Sequence, residues 1–429
     1  MVAGVEMTGT YHIVAKQALS KVCDVKMIHP LTTKQLRQPA SPGIKTDDTD
    51  LDAQTRAMIA GYGIDEPELP ELYVDWRCLT RMREDLVKKD RAVKAQCQEK
   101  LEALMPGYSK LFGKAIWERP GPWEIVRLYR SAEAVARAGV ERIADRLRRR
   151  KMSMRRNTIR RVVAWAGDAC GPLPGADLTH RTLVDSLKLH RTLAGMIADY
   201  ERELLCFLVQ TPAVVLVSIQ GVNVVSASVF GAELGPVCNY PEPTNICGRA
   251  GLFPSRYQSD ETDRRDGPVV RGHNARLRQS IFTIARNLGN LNDYYSGFRQ
   301  LRERNGWDGA KIDAAVAGRF SRAAFHMLVE PAFFNHPKCT TRDAVLPKLL
   351  CFAWDHGMAE PEAAAAVLRA VESFPRMGLE LEIQALETGR GVKGRPYPAK
   401  LAGAARNALT ALWKRVDTEQ PGGGTAIQN

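Results

Sequence analysis

The opening of the chain constrains the fold most. Val2-Ala3-Gly4-Val5-Glu6 reads as a short strand ending in a carboxylate, and Thr8-Gly9-Thr10-Tyr11 turns the chain into a helix expected over residues 12–21. Val25-Lys26-Met27-Ile28 is a second strand, closed by His29-Pro30. Two neighbouring strands joined through a helix run parallel, and a parallel pair needs helices to cover it. The opening therefore predicts an α/β unit. A basic, proline-containing loop is expected over residues 34–45, then a helix opened by Lys45-Thr46-Asp47-Asp48-Thr49-Asp50 and running through Ile59.

The remainder reads as helical. Residues 69–111 form long charged helices with apolar side chains at helical spacing, ended by Pro106-Gly107. Pro120-Gly121-Pro122 marks a break before a helix starting near Trp123. A further helix carries Arg142, Arg146, Arg148, Arg149, Arg150, Lys151, Arg155, Arg156, Arg160 and Arg161, the densest positive stretch of the chain. It suits phosphate contacts along a nucleic acid, or is a solvated helix face. Residues 178–209 are amphipathic, and residues 214–235 are apolar, with Ile219-Gln220-Gly221-Val222 as a turn between short helices. Helices continue to about residue 329. The last stretch adds helices over residues 361–371 and 399–415, a Gly/Lys/Arg/Pro loop near 389–398 and a Gly-rich tail over 420–429, expected to be disordered.

A net charge of +13, from 61 Lys and Arg against 48 Asp and Glu, favours an anionic partner. Nucleic acid leads, with ribosomal or anionic-membrane binding as other fits. No apolar run approaches the roughly 20 residues of a membrane span, and the start lacks the pattern of a secretory leader. The 9 cysteines include no C-x-x-C pair, which points to reduced thiols in a cytoplasm and away from zinc.

Two groups of residues carry chemistry. In residues 248–282, Ser259 lies in a polar stretch with Arg256, Arg264, Arg265, Arg271, Arg276 and Arg278 on either side. A hydroxyl among guanidinium groups suits a phosphodiester: the cations hold the phosphate and the serine attacks it. The same residues also describe a solvated basic loop with an ordinary serine. Asp47 and Asp50, three apart, share one helix face, and with Glu6 at a strand end they make a hard-cation set suited to magnesium. Their other reading is helix capping, since acids are favoured in a first turn.

Both groups resemble one family. Glu6-Met7-Thr8-Gly9-Thr10-Tyr11 and Lys45-Thr46-Asp47-Asp48-Thr49-Asp50 are similar to the Glu-x-Thr-Gly-x-Tyr and Lys-Thr-Asp-x-x-Asp patterns of DEDD insertion-sequence transposases and Piv-type DNA invertases, whose N-terminal domain is RuvC-like. Gly251-Leu252-Phe253-Pro254, Gln258-Ser259, Gly267 and Arg271-Gly272-His273-Asn274 with Leu277-Arg278 resemble the family's C-terminal domain. The turn at Gly221 resembles a helix-hairpin-helix. Departures are His29 for asparagine, Leu51 for alanine, Gln220 for proline and Asp260 for glycine. The family also has an aspartate on a strand well before the glutamate, so the first strand and the first of the four carboxylates are expected to be missing here.

The resemblance implies α/β plus all-α architecture: a truncated RuvC-like (RNase H-like) unit over residues 1–65, a helical, coiled-coil basic region over 66–210, a mainly helical, serine-bearing transposase domain over 211–330, and a helical extension with its tail over 331–429. It implies a DNA recombinase with Ser259 as nucleophile and Glu6, Asp47 and Asp50 holding Mg2+. Arg256, Arg271 and Arg278, with Arg148, Arg149, Arg150, Arg155 and Arg156 of the basic helix, are the expected nucleic-acid contacts. DNA, a structured guide RNA and further copies of the chain, as a dimer or tetramer, are the implied partners, in a bacterial cytoplasm at the nucleoid. A truncated binding protein that does not cut, and a junction nuclease using the carboxylates alone, are the alternatives.

Overall fold

A computed structural model of the chain describes residues 1–417 except 10, 41, 67, 256, 260–261, 265–266, 268, 270–273, 340–341 and 390–396. The expected tail and most of the loop near 389–398 lie outside the described residues.

β1 (Val2–Glu6) and β2 (Asp24–Ile28) are parallel, with Val2 opposite Asp24 and Glu6 opposite Ile28, and α1 (Tyr11–Leu19) crosses between them. The residues expected as a loop from position 34 instead begin inside α2 (Pro30–Ala40). Pro30 opens this helix, where its missing N–H is no loss, and Pro39 falls at its last turn. α3 (Asp47–Ile59) starts on a reciprocal cap between Thr46 and Thr49 and lays buried Ala53 and Ala57 on the sheet. Gly4 makes that approach possible, because a Cβ there would meet the Met58 side chain at 2.7 Å. Met27 and Ile28 are wholly buried beneath.

The middle of the chain is an arm. α4 (Glu71–Leu104) and α8 (Ala176–Leu208) pair antiparallel within the one chain. Arg83 bonds Glu201 at 2.5 Å, Asp90 meets His190 at 2.5 Å and Lys100 donates to Ser186 at 2.8 Å, so partner numbers fall as those of α4 rise. The expected coiled-coil segment is thus a packed intrachain hairpin. α5 (Pro120–Leu128), α6 (Ala132–Arg149) and α7 (Arg156–Asp168) close its far end around a core of Leu101, Tyr108, Ile125, Ile143 and Val162. The expected single arginine helix is two: α6 stops at Arg149, and Lys151 takes a left-handed conformation (φ 57°) in the turn to α7.

The other end of the arm enters the main core through Trp76, Leu79, Leu204 and Leu208. That core gathers α9 (Val224–Leu234), α10 (Pro243–Ala250), α11 (Ala275–Leu291), α12 (Asp293–Arg304) and α13 (Gly309–Val329), and the strands β3 (Tyr257–Ser259) and β4 (Thr262–Arg264) lie between α10 and α11 in the chain. It continues without a break into α14 (Val345–Asp355), α15 (Glu360–Ser373), α16 (Leu379–Glu387) and α17 (Ala402–Asp417). Phe320 and Ile312 share one apolar cluster with Leu346, Val367 and Leu412, so the extension after residue 330 is part of the main core.

Candidate functional site

Ser259 ends β3, which pairs antiparallel with β4 so that Ser259 stands opposite Thr262. The stretch read as a polar loop therefore holds an antiparallel β-hairpin, with Ser259 as the last residue of β3. Below the hairpin the two chains stay joined. Pro254 bridges Val269, Gly267 N donates to Ser255 O at 3.0 Å, and Asn274 N donates to Arg249 O at 2.9 Å. Arg256 and Arg271 lie outside the described residues.

The base of the hairpin is fixed from several sides. Arg278 donates through Nε to Ala250 O at 2.8 Å and through its terminal nitrogen to Gly251 O, capping the carbonyl end of α10. Burial lowers the pKa of this guanidinium. The expected phosphate contact is thus engaged within the fold. Asn274 caps α11, accepting from Arg276 N and Leu277 N, and donates to Glu233 Oε2 at 3.2 Å. Glu233 in α9 is 1 % exposed and takes a bidentate bond from Arg81 of α4, at 2.8 and 3.0 Å. Burial would raise the Glu233 pKa, but the bonds and charge of Arg81, with Asn274 and Arg77, outweigh it and hold the carboxyl low. Arg276 pairs with Glu84 at 3.1 Å. From the sequence, Glu233 stands out only within a family-like stretch, Ala232-Glu233-Leu234-Gly235, and Arg81 and Glu84 only as charged helix residues; none has an evident role there. The available signal was Glu233 itself, a lone acid in the apolar run Val224–Leu234, which requires a buried partner.

The three carboxylates of the N-terminal unit are differently placed. Glu6, half-buried at the end of β1, accepts from Thr8 at 2.9 Å and from Gln54 of α3 at 3.5 Å. Asp50 lies one turn before Gln54, so this helix face is the one turned toward Glu6. Asp50 is ion-paired with Arg37 of α2, and Asp47 is exposed in the first turn of α3. Among the described residues no three His, Cys, Asp or Glu side chains gather as a metal site. As arranged here, with the Asp50 carboxylate neutralised by a guanidinium, the set does not fit a magnesium ion.

The basic stretch belongs to a separate surface. α4 spans 34 residues, about 50 Å at about 1.5 Å per residue, with Trp76 in the main core and Leu104 in the arm core. The α6–α7 arginines stand at the arm end. Arg148 pairs with Asp145 at 2.9 Å, Arg156 pairs with Glu141, and Arg150 holds the buried Glu124 at 3.0 Å. Arg149 and Arg155 are exposed, without an acidic partner among the described residues. Arg148 and Arg156 line a cavity of about 330 Å³ with Met152 and Ile159. No described helix is long and apolar enough to cross a membrane.

Comparison with known proteins places the two halves of this arrangement in one class, the transposases. A family model for DEDD transposases of the IS110 type matches residues 1–106, which hold Glu6, Asp47, Asp50 and α4. A second, for transposases of the IS116/IS110/IS902 family, matches residues 213–297, which hold the hairpin and its clamp. Two separate segments of the chain are thus similar to the insertion-sequence transposases of the IS110/IS116 type. The insertion element IS116 uncharacterized 44.8 kDa protein of Streptomyces clavuligerus is 26% identical over 239 residues, covering 54% of this chain. The match spans 58% of the length of that relative.

Proposed function

We propose that the chain breaks and rejoins DNA strands for an insertion sequence, with Ser259 as the nucleophile. The serine oxygen attacks a backbone phosphorus and forms a serine–phosphate ester. The bond from phosphorus to one deoxyribose oxygen breaks, and that oxygen leaves as a hydroxyl with the proton serine gave up. Attack by a strand hydroxyl on the ester reverses the exchange, so one phosphoester replaces another without an added energy source. The observation that carries this reading is the hairpin: Ser259 ends a paired strand, on a base held by Arg278, Asn274 and Glu233, inside the matched segment. Arg256 and Arg271 flank the serine in sequence and suit the phosphate oxygens.

Glu6, Asp47 and Asp50 are the carboxylates that the family's use of divalent metal assigns to a RuvC-like unit. The Arg37–Asp50 pair must open before they could serve, and no step above passes through them. The arm end, rich in exposed arginine, suits a structured guide RNA or duplex DNA. Serine and carboxylates from different copies would make the working unit a dimer or tetramer, acting at the bacterial nucleoid.

Replacing Ser259 by alanine tests this. Wild type is expected to form a denaturation-resistant protein–DNA adduct with its element DNA. Ser259→Ala should bind the DNA and form none, and an adduct that survives the substitution defeats the assignment. The Arg37–Asp50 pair favours a second reading, a relative that binds nucleic acid without cutting. It predicts no adduct from either protein.

A further inference from the structure

A cavity of about 1090 Å³ opens between α12, α13 and the start of the extension; Tyr294 and Tyr295 on its wall fall at the end of the second family match and its other lining residues lie beyond it. Its size is that of a full ligand site rather than a packing defect. On one wall the rings of Tyr294 and His336 stack with centroids 3.8 Å apart and planes 30° from parallel. Arg319 donates to the Tyr294 hydroxyl at 2.5 Å and lies over the Phe298 ring at 4.1 Å, so neither contact neutralises it. Arg322, one residue beyond the buried Ser321 on α13, is exposed and has no acidic partner among the described residues. Arg342, also lining the cavity, is paired with buried Glu382 at 2.7 Å and adds no free charge. Glu330 is the acid on the wall. Burial, with the charges of Lys338 and Arg319, lowers the His336 pKa, in keeping with a cationic cleft and a neutral ring.

We propose that this cleft takes an unpaired nucleotide of a nucleic-acid strand, its base against the Tyr294–His336 stack and its phosphate on Arg319 and Arg322. Flat rings beside unneutralised guanidinium groups are what a single strand needs, since every base has a stacking face and every linkage a charge. Bases inside a duplex cannot reach a ring wall. The proposal rests on the reading that the chain works on nucleic acid, and it assigns the extension a part in that work.

The test is fluorescence anisotropy of the full chain with a labelled single-stranded DNA, the same sequence as RNA, and the duplex, over a salt series. Arg322→Gln changes an exposed side chain and is expected to fold. His336→Ala removes half of the ring stack. Each should weaken single-strand binding by about tenfold with duplex binding kept, and Arg322→Gln should reduce the salt slope by about one. Loss in the DNA arm or the RNA arm supports the cleft and identifies the strand it takes. Single-strand binding and salt slope unchanged in both variants would overturn the cleft, while duplex binding by wild type would leave the nucleic-acid reading standing. No binding of any of the three by wild type overturns both.

Discussion

Glu233 is one carboxylate among the apolar side chains of α9, and it joins Arg81 of the arm to Asn274 at the foot of the Ser259 hairpin. Its depressed pKa fixes a sign. The stabilisation is present above the ordinary glutamate value and is lost as pH falls through the lower, folded value. Glu233→Gln should therefore flatten the acid limb of a stability profile measured by denaturant unfolding from pH 7 downward. Glu233→Ala should cost about 1–3 kcal/mol at pH 7, because Arg81 and Asn274 lose their partner. An unchanged acid limb in Glu233→Gln would count against the clamp. At this scale the sequence showed residue types and not their use. Ser259, Arg276 and Arg278 were all visible as a hydroxyl among cations. That Arg278 caps α10 and Arg276 meets Glu84 depends on contacts of 27 and 192 residues' separation, which spacing along the chain does not reveal.

Among the elements, the turn between residues 218 and 223 is tied to the extension by Ser218, which accepts from Phe334 N and Asp343 N, and by Lys348. Lys348 of α14 donates to Val217 O, Ile219 O and Val222 O at 2.7, 3.3 and 3.1 Å and pairs with Asp343 at 2.7 Å. Burial lowers its pKa, with Asp343 opposing the shift. Lys348→Met keeps the stem and removes the charge, leaving those carbonyls and Asp343 without it. A loss of about 3 kcal/mol is expected in thermal or chemical unfolding, and a loss under about 0.5 kcal/mol would contradict the role given to Lys348. The parallel strand pair, α3 and the long arm helices were legible because each has its own local signal: strand–helix–strand spacing, the Thr46 cap and apolar periodicity. α2 was hidden by its prolines, which sit at positions a helix tolerates. The break between α6 and α7 was hidden because Lys151 reads as one more cation of a basic helix.

The whole molecule carries its basic surface and its serine at opposite ends of a long helical arm, on two separate cores. Duplex or RNA binding by the arm should therefore separate from chemistry at the hairpin. Replacing Arg149 and Arg155 by glutamine is expected to weaken nucleic-acid binding and lower its salt slope by up to about two, with folding intact. An unaltered slope would show that the arm end does not meet phosphate. The resemblance to the family could be read from the sequence through its motifs, whereas the sharing of one core between the helices flanking the serine hairpin and the extension could not. Apolar residues on α13 and α15 give no local sign of which helix they face.

The central claim is that Ser259 becomes joined to DNA. The most direct measurement is peptide mapping, by mass spectrometry after nuclease trimming, of the adduct formed with element DNA. A phosphodeoxynucleotide on the peptide carrying Tyr257, Gln258 and Ser259, at the serine, is the predicted result. The same modification on any other residue, with Ser259 unaltered, would contradict it.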